Sequence, residues 1–159
     1  MLEFTHINEK GRAKMVDVGE KAVTHRTAIA KGEILMDPET IKRICEGKMK
    51  KGDVLAVAQI AGITGAKKTS DLIPMCHNIF ISACDMDFTI KEDRIEIIST
   101  LKTQGQTGIE MEALTSVTIA ALTIYDMCKA VDKTMKIQNI RLVKKTGGRS
   151  GEWRLEGEE

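Results

Sequence analysis

The spacing of hydrophobic and polar residues predicts strands in five parts of the chain. In these parts apolar and polar side chains alternate with a period of two, or apolar residues form short runs. The predicted strands are residues 16–18, 23–29, 79–90, 95–101 and 137–143. The polar residues 91–94, between the third and fourth of them, predict a hairpin turn.

Three helices are predicted where apolar residues recur every three or four positions. The first follows the capping residue Asp37 and the first-turn residue Pro38, and it ends at Gly47. The second begins after Asp53 and carries a ridge of small residues for close packing, namely Ala58, Gly62 and Ala66. The third and longest carries one apolar stripe, which consists of Leu114, Val117, Ala121, Ile124, Cys128 and Val131.

Helices that alternate with strands around a central hairpin favour an α+β fold. A ferredoxin-like topology, an antiparallel sheet with helices packed on one face, fits this order best. The length of 159 residues suits one domain, so residues 1–159 are predicted to form a single unit. The Gly-rich residues 147–151 lack P-loop spacing and predict a flexible C-terminal tail from about residue 146.

Composition narrows the classes of function. With 42% hydrophobic and 30% charged residues, the chain is typical of a globular protein. Its 24 basic and 23 acidic residues leave a net charge of +1, so no overall field attracts it to nucleic acid or to a membrane. Aromatic residues, at 3%, are too few for a surface that stacks single-stranded nucleic acid.

The cysteines and the lengths of the uncharged runs indicate the cellular compartment of the protein. The four cysteines form no C-x-x-C pair, and the N-terminal sequence has no signal-peptide pattern. The longest uncharged runs, residues 54–66 and 113–125, are shorter than the roughly 20 residues that cross a bilayer. We therefore expect a cytoplasmic protein with free thiols and no membrane contact.

Cys76 and His77 follow Pro74 at a junction between a helix and a strand. Together they could supply a nucleophile and its base, as in a Cys-His acyl transferase. The alternative is a half-buried histidine at a turn beside a packed thiol. A zinc site is disfavoured because no second ligand pair stands at a useful spacing.

Charged residues at both ends of the long helix are further candidates. Glu110 and Glu112 open it, where carboxylates also stabilise the positive end of a helix. Asp126 and Lys129 can meet on one helix face, but solvated ion pairs have the same spacing. Basic residues that could bind phosphate, or could be ordinary surface residues, are Lys48, Lys50, Lys51, Lys67, Lys68, Lys144, Lys145 and Arg149.

Six motifs stand in order along the chain: residues 15–18 (MVDV), 50–54 (KKGDV), 66–69 (AKKT), 71–77 (DLIPMCH), 107–115 (TGIEMEALT) and 121–130 (ALTIYDMCKA). Together they resemble the molybdenum cofactor biosynthesis protein C family, the cyclic pyranopterin monophosphate synthases. The resemblance covers nearly the whole chain. It implies a phosphorus-oxygen lyase that converts a cyclised dihydro-GTP into cyclic pyranopterin monophosphate, with release of diphosphate.

The resemblance also implies roles for individual residues. It makes Asp126, Lys129 and Lys51 catalytic. It assigns substrate contacts to Met75, Cys76, His77, Glu110, Met111, Glu112, Asp17, Arg26, Lys67 and Lys145. No carboxylate cluster requires a metal, so no cofactor is expected, and Mg²⁺ is left open as a companion of the triphosphate.

The long helix sets a distance between two of these residues. Glu112 and Asp126 are 14 residues apart, or roughly 21 Å at about 1.5 Å per residue. One compact ligand does not bridge that distance, so either the helix breaks or different subunits contribute the two residues to one pocket. We favour the second interpretation. The resemblance implies a homohexamer, a trimer of dimers with sites at the dimer interface.

Two other functions stay open at this point. A Cys-His acyl transferase would lose turnover when Cys76 is replaced, whereas the synthase would keep much of it. A non-enzymatic module with the same fold would bind nucleotide or RNA without forming product, and the scarcity of aromatic residues counts against it.

Overall fold

Strands and helices alternate along the chain as the sequence predicts. The computed structural model describes residues 4–158, so residues 1–3 and 159 of the predicted domain lie outside the described residues. In chain order the elements are β1 (Thr24–Leu35), α1 (Pro38–Cys45), α2 (Val54–Lys67), α3 (Thr69–Leu72), β2 (Ala83–Ile90), β3 (Arg94–Gly105), α4 (Glu110–Cys128), β4 (Lys136–Thr146) and β5 (Trp153–Arg154).

Within residues 4–158 the strands form one five-stranded sheet in the order β2-β3-β1-β4-β5, and each neighbouring pair is antiparallel. The central strands β1 and β3 pair along their whole length, from Thr24 opposite Gly105 to Leu35 opposite Arg94. Helices α2 and α4 pack against each other, and α4 lies on the three strands β1, β3 and β4. This order, with the helices on one face, confirms the predicted α+β, ferredoxin-like fold.

The strand β1 is longer than the prediction, which ended it at residue 29. Its alternation continues through Gly32, where a Cβ atom would lie only 2.8 Å from Val117 Cγ1 of α4. Glycine is therefore the residue that lets the sheet approach this helix. Glu33 points to the opposite face, where the amide nitrogens of Gln138 and Asn139 donate to its carboxylate. Gly32 has no side chain and Glu33 is charged, so the alternation of apolar and polar residues is not visible in this part of the sequence.

The helices begin where their caps predict. The Asp37 carboxylate accepts from the backbone N–H of Glu39 at 2.8 Å, and the Asp53 carboxylate accepts from that of Ala56 at 3.1 Å. The small-residue ridge of α2 is buried as predicted and brings α2 close to α4. None of the helices described within residues 4–158 is both long enough and apolar enough to cross a membrane.

Two strand predictions are wrong. Residues 16–18 form no strand, because the carbonyl of Val16 accepts from the His77 ring and not from a neighbouring strand. Strand β2 begins at Ala83 and not at residue 79. Just before it, the carbonyl of Phe80 accepts from the Thr103 hydroxyl. At Val16 and at Phe80, a side chain binds the carbonyl that a partner strand would otherwise bind.

The segment after β4 returns to the sheet. Strand β5 pairs with the end of β4. Close to the C-terminus, the Glu158 carboxylate lies 2.8 Å from Lys31 Nζ and also pairs with Arg141. These contacts tie the tail to two central strands. The flexibility predicted for the tail stays a prediction.

Candidate functional site

The predicted site residues fall mainly into two clusters at opposite ends of α4, which is unbroken from Glu110 to Cys128. The first, here called the amine–carboxylate cluster, consists of Lys51, Asp126 and Lys129. The second, here called the cavity cluster, lines a cavity at the start of α4 and contains Met75, Cys76, His77, Glu110, Met111 and Glu112. One chain thus holds two separate sets of chemical groups.

The amine–carboxylate cluster is a carboxylate held between two ammonium groups. Lys51 Nζ lies 2.7 Å from one oxygen of Asp126, and Lys129 Nζ lies 3.0 Å from the other. Lys51 also donates to the main-chain carbonyl of Asp126 at 3.1 Å. The spacing of three residues brings Lys129 back over Asp126, whereas Lys51 arrives from the loop that joins α1 to α2.

These two lysines stabilise the charged form of Asp126. Hydrogen bonds from Lys51 and then Lys129 lower the pKa of the Asp126 carboxyl below its usual value, despite a small opposing effect of desolvation. The carboxylate is therefore charged at neutral pH. All three side chains are about half exposed, at 48, 55 and 57%. The cluster can present two positively charged groups to a ligand in solvent.

The cavity cluster surrounds a space of about 430 Å³, within the range of small-molecule sites. The residues that the sequence did not assign to the site are Thr5, His6, Val16, Val18, Lys21, Ile79, Thr107 and Gly108. Thr107 and Gly108 stand in one of the six motifs, so the motif itself could have indicated them. Val16 and Val18 also stand in a motif, at residues 15–18, whereas Thr5, His6 and Lys21 belong to no motif or predicted element.

Glu112 is the most buried acid of the cavity cluster. It is 4% exposed, although it belongs to the first turn of α4. Burial raises the pKa of its carboxyl to about 7, against a lowering by the backbone N–H of Glu112, and the charge of Glu110 raises it further. Near neutral pH this group can therefore either give or take a proton.

His77 has a defined orientation. Its Nε2 lies 2.5 Å from the carbonyl oxygen of Val16. Because a carbonyl only accepts, Nε2 carries the proton of the neutral ring and Nδ1 remains as an acceptor. The neighbouring Cys76 differs: burial, and then the charge of Glu112, raise the pKa of its thiol. A protonated thiol is a poor nucleophile, which weakens the acyl-transferase alternative.

The remaining predicted residues do not line the cavity. Lys145 Nζ lies 2.9 Å from a carboxylate oxygen of Glu110 and so reaches the cavity cluster indirectly. Arg26 donates to the carbonyls of Gly105 and Gln106 at the end of β3, and the Asp17 carboxylate accepts from the N–H of Gly19 at 2.8 Å. Lys67 is exposed at the end of α2.

The described part of the chain shows no metal-binding arrangement of side chains. Across residues 4–158 no group of three or more His, Cys, Asp and Glu side chains is arranged to hold a metal ion. The absence of a required metal stays a prediction. Oxygen ligands for a Mg²⁺ that arrives with a triphosphate would come largely from the phosphate groups and water.

Comparison with known proteins gives a consistent result. A profile of the MoaC family matches residues 15–148. A cyclic pyranopterin monophosphate synthase of Peptoclostridium acidaminophilum is 64% identical over 155 residues, which are 98% of this chain and 99% of that protein. Proteins of the same name from Clostridium acetobutylicum and Thermoanaerobacter pseudethanolicus are 62% identical. Those alignments cover 97% and 94% of this chain and 97% and 96% of the relatives.

Proposed function

Because this chain belongs to the MoaC family, we propose that it is a cyclic pyranopterin monophosphate synthase. It would convert a cyclised dihydro-GTP into cyclic pyranopterin monophosphate and diphosphate, an early step of molybdenum cofactor biosynthesis. The observation that carries the proposal is the cavity cluster, in which residues 75–77 and 110–112 surround a space of nucleotide size. The relatives bear the name of the same activity.

The reaction makes two chemical demands, and each cluster suits one of them. Opening and reclosing a ring requires proton transfer, for which Glu112, with a pKa of about 7, and Nδ1 of His77 are suited. Forming the cyclic phosphate expels diphosphate, whose developing charge requires cations. Lys51 and Lys129 can supply these cations. Asp126 would hold both ammonium groups in place.

We further propose that one active site uses the two clusters of different protomers. Since α4 is continuous, Glu112 and Asp126 stand about 21 Å apart along its axis in one chain. A twofold axis near the middle of α4 would bring the acidic start of one helix over the amine end of its partner. Ile119, seven residues from each of these acids, is at that middle. The opposite charges of the two ends favour this pairing.

The outer surface of the helical layer supports such a pairing. Across residues 54–66 of α2 and 113–125 of α4 there is no charged residue. A groove between the two helices is lined mainly by apolar side chains, including Val57, Leu72 and Ile119. An exposed apolar face of this kind marks a surface that another protein chain buries. A second copy would bury this face and complete the site.

The other properties of the proposed enzyme follow the resemblance. The dimer would be the unit of a homohexamer, a trimer of dimers. No resident cofactor would be needed, although Mg²⁺ could arrive with the triphosphate. A cytoplasmic location is supported by the cysteines, which are all free thiols in the described part of the chain.

The activity is tested directly with the cyclised GTP substrate. The folded protein should form cyclic pyranopterin monophosphate and diphosphate, both detected by mass spectrometry. An Asp126→Ala variant serves as the inactive control for contaminating enzymes. Absence of both products from folded, assembled wild-type protein would refute the assignment.

The shared site is tested by mixing two inactive variants. Glu112→Ala and Asp126→Ala chains are unfolded together and refolded, so that half of the dimers become hybrids. Each hybrid contains one site with both native residues, so the mixture should recover about a quarter of the wild-type activity. As a control for subunit exchange, wild-type chains are mixed in the same way with chains that carry both substitutions. Hybrids that form and stay inactive would contradict a shared site.

A further inference from the structure

One wall of the cavity comes from the segment before β1, here called the N-terminal arm, residues 4–21. The arm contributes Thr5, His6, Val16, Val18 and Lys21 to the cavity lining. It has no apolar core of its own: Phe4 is 81% exposed and Met15 is 52% exposed. Its position at the cavity must therefore depend on specific contacts with the rest of the chain.

Two side chains make these contacts. In residues 4–158 the hydrogen bonds that join the arm to the rest of the chain come from His77 and Gln106. The His77 ring binds the carbonyl of Val16. The Gln106 amide donates twice, to the carbonyl of Gly19 at 2.9 Å and to that of Lys21 at 3.1 Å. Gln106 thus fixes the turn that ends the arm.

Gln106 also connects two residues expected to bind substrate. Asp17 lies between the two fixed points of the arm, and its carboxylate accepts from the N–H of Gly19. On the other side, the guanidinium of Arg26 donates to the main-chain carbonyls of Gly105 and Gln106 at 3.3 and 3.4 Å. Gln106 itself is not part of the cavity lining. It can act on a ligand through these neighbours.

We propose that Gln106 is a positioning residue for substrate binding. Its amide holds the turn at residues 19–21, and so sets the places of Val18 and Lys21 at the cavity and of the neighbouring Asp17. The inference rests on the proposed function for its substrate, but the geometry of the arm can be tested without that substrate. Loss of the two hydrogen bonds should weaken substrate binding more than it slows the chemical step.

The test compares three substitutions. Gln106→Glu keeps the size of the side chain but removes both donors, since a carboxylate only accepts. We expect KM to rise about tenfold, as two lost hydrogen bonds imply, with kcat changed less than about twofold. Gln106→Lys restores a donor and should keep KM within about threefold of wild type. Gln104→Glu puts the same charge on an exposed position of β3 and controls for electrostatics.

A second readout needs no substrate. Amide hydrogen exchange over residues 16–21 should be faster in Gln106→Glu than in wild type, Gln106→Lys or Gln104→Glu. Unchanged exchange in Gln106→Glu, or equal exchange rates in Gln104→Glu and Gln106→Glu, would overturn the inference. An unchanged KM in an active Gln106→Glu enzyme would also overturn it. If wild-type protein forms no product, the proposed function fails, and the exchange data decide alone whether Gln106 fixes the arm.

Discussion

The two ends of α4 carry acids in opposite environments. At the C-terminal end, Asp126 is 55% exposed in its side chain and held by two lysines, which lower its pKa. At the N-terminal end, Glu112 is 4% exposed, and burial raises its pKa to about 7. The carboxyl chemistry is the same, so the difference comes from the surroundings alone.

The comparison shows how one helix can support two kinds of catalysis. A carboxylate whose pKa is lowered stays charged and fixes cations, whereas one with a pKa near 7 changes its protonation at neutral pH. Neither end meets both demands of the proposed reaction. If the N-terminal end of α4 in one protomer meets the C-terminal end of α4 in the other, one site has both a proton-transfer group and fixed cations. Each of the following experiments tests part of this difference between the two ends.

Removal of Asp126 should have the largest effect. Asp126→Ala frees Lys51 and Lys129 from their shared partner, so we expect kcat/KM to fall about 10³-fold, within the range for loss of groups that stabilise developing charge. The fold should persist because the side chain is half exposed. Product formation by mass spectrometry measures the loss. Asp87→Ala, at an exposed position of β2, is the matched control. Activity within about threefold of wild type in Asp126→Ala would remove this cluster from the mechanism.

A charge on the outer face of α2 should have the next largest effect. Ile60 is 65% exposed in the chain, so Ile60→Glu should cost an isolated protomer little stability. If a second copy covers this face, the buried charge should dissociate the dimer and lower activity about 10²-fold. Sedimentation and turnover measured on the same sample test this expectation. Ile90→Glu, 39% exposed at the end of β2, is the control. An Ile60→Glu protein that stays assembled and active would exclude this face as the interface.

Local rules were enough to predict most of the fold. Caps at Asp37 and Asp53 mark helix starts, and the alternating residues around the turn at 91–94 predict the β2–β3 hairpin. The rise per residue of a helix also predicted that Glu112 and Asp126 are far apart in one chain. Each of these features depends on residues close in sequence, which is why periodicity and capping detect them.

Long-range contacts could not be predicted in this way. The N-terminal arm reaches the cavity through side-chain bonds from His77 and Gln106, and no periodic pattern records such bonds. The length of β1 was underestimated because Gly32 fits against a helix that is distant in sequence. The meeting of Lys51 with Asp126 depends on tertiary packing and was implied only by the resemblance.

The pH dependence of a Glu112 variant tests the difference between the acids at the two ends of α4. Glu112→Gln keeps the size of the side chain but cannot exchange a proton, so we expect kcat to fall about 10²-fold. The ionisation near pH 7 should also disappear from the pH profile of kcat/KM. A profile that keeps this ionisation in Glu112→Gln would assign it to another group. Glu96→Gln, exposed in β3, is the control.

The stability of the same variant should depend on pH with a defined sign. The folded-state pKa of Glu112 is raised from 4.5 to about 7, so between these values the native protein holds a proton that the unfolded chain has lost. The free energy of unfolding should therefore fall as pH rises through this window. Glu112→Gln removes this dependence, so its Tm relative to wild type should be higher at pH 8 than at pH 5. The opposite order would show that the folded protein stabilises the carboxylate as an anion, and it would contradict the raised pKa.

Replacement of Cys76 should have the smallest effect. Burial and the charge of Glu112 raise the pKa of this thiol, so it is protonated at neutral pH and does not act as a nucleophile. The His77 Nε2 already donates to the carbonyl of Val16, so this nitrogen is not available to take a proton from the thiol. Cys76→Ala should therefore keep kcat within about threefold of wild type, with KM raised slightly through lost packing. A fall of more than about 10²-fold in the folded variant would instead support covalent catalysis by the thiol, because nucleophile removal abolishes turnover in such enzymes.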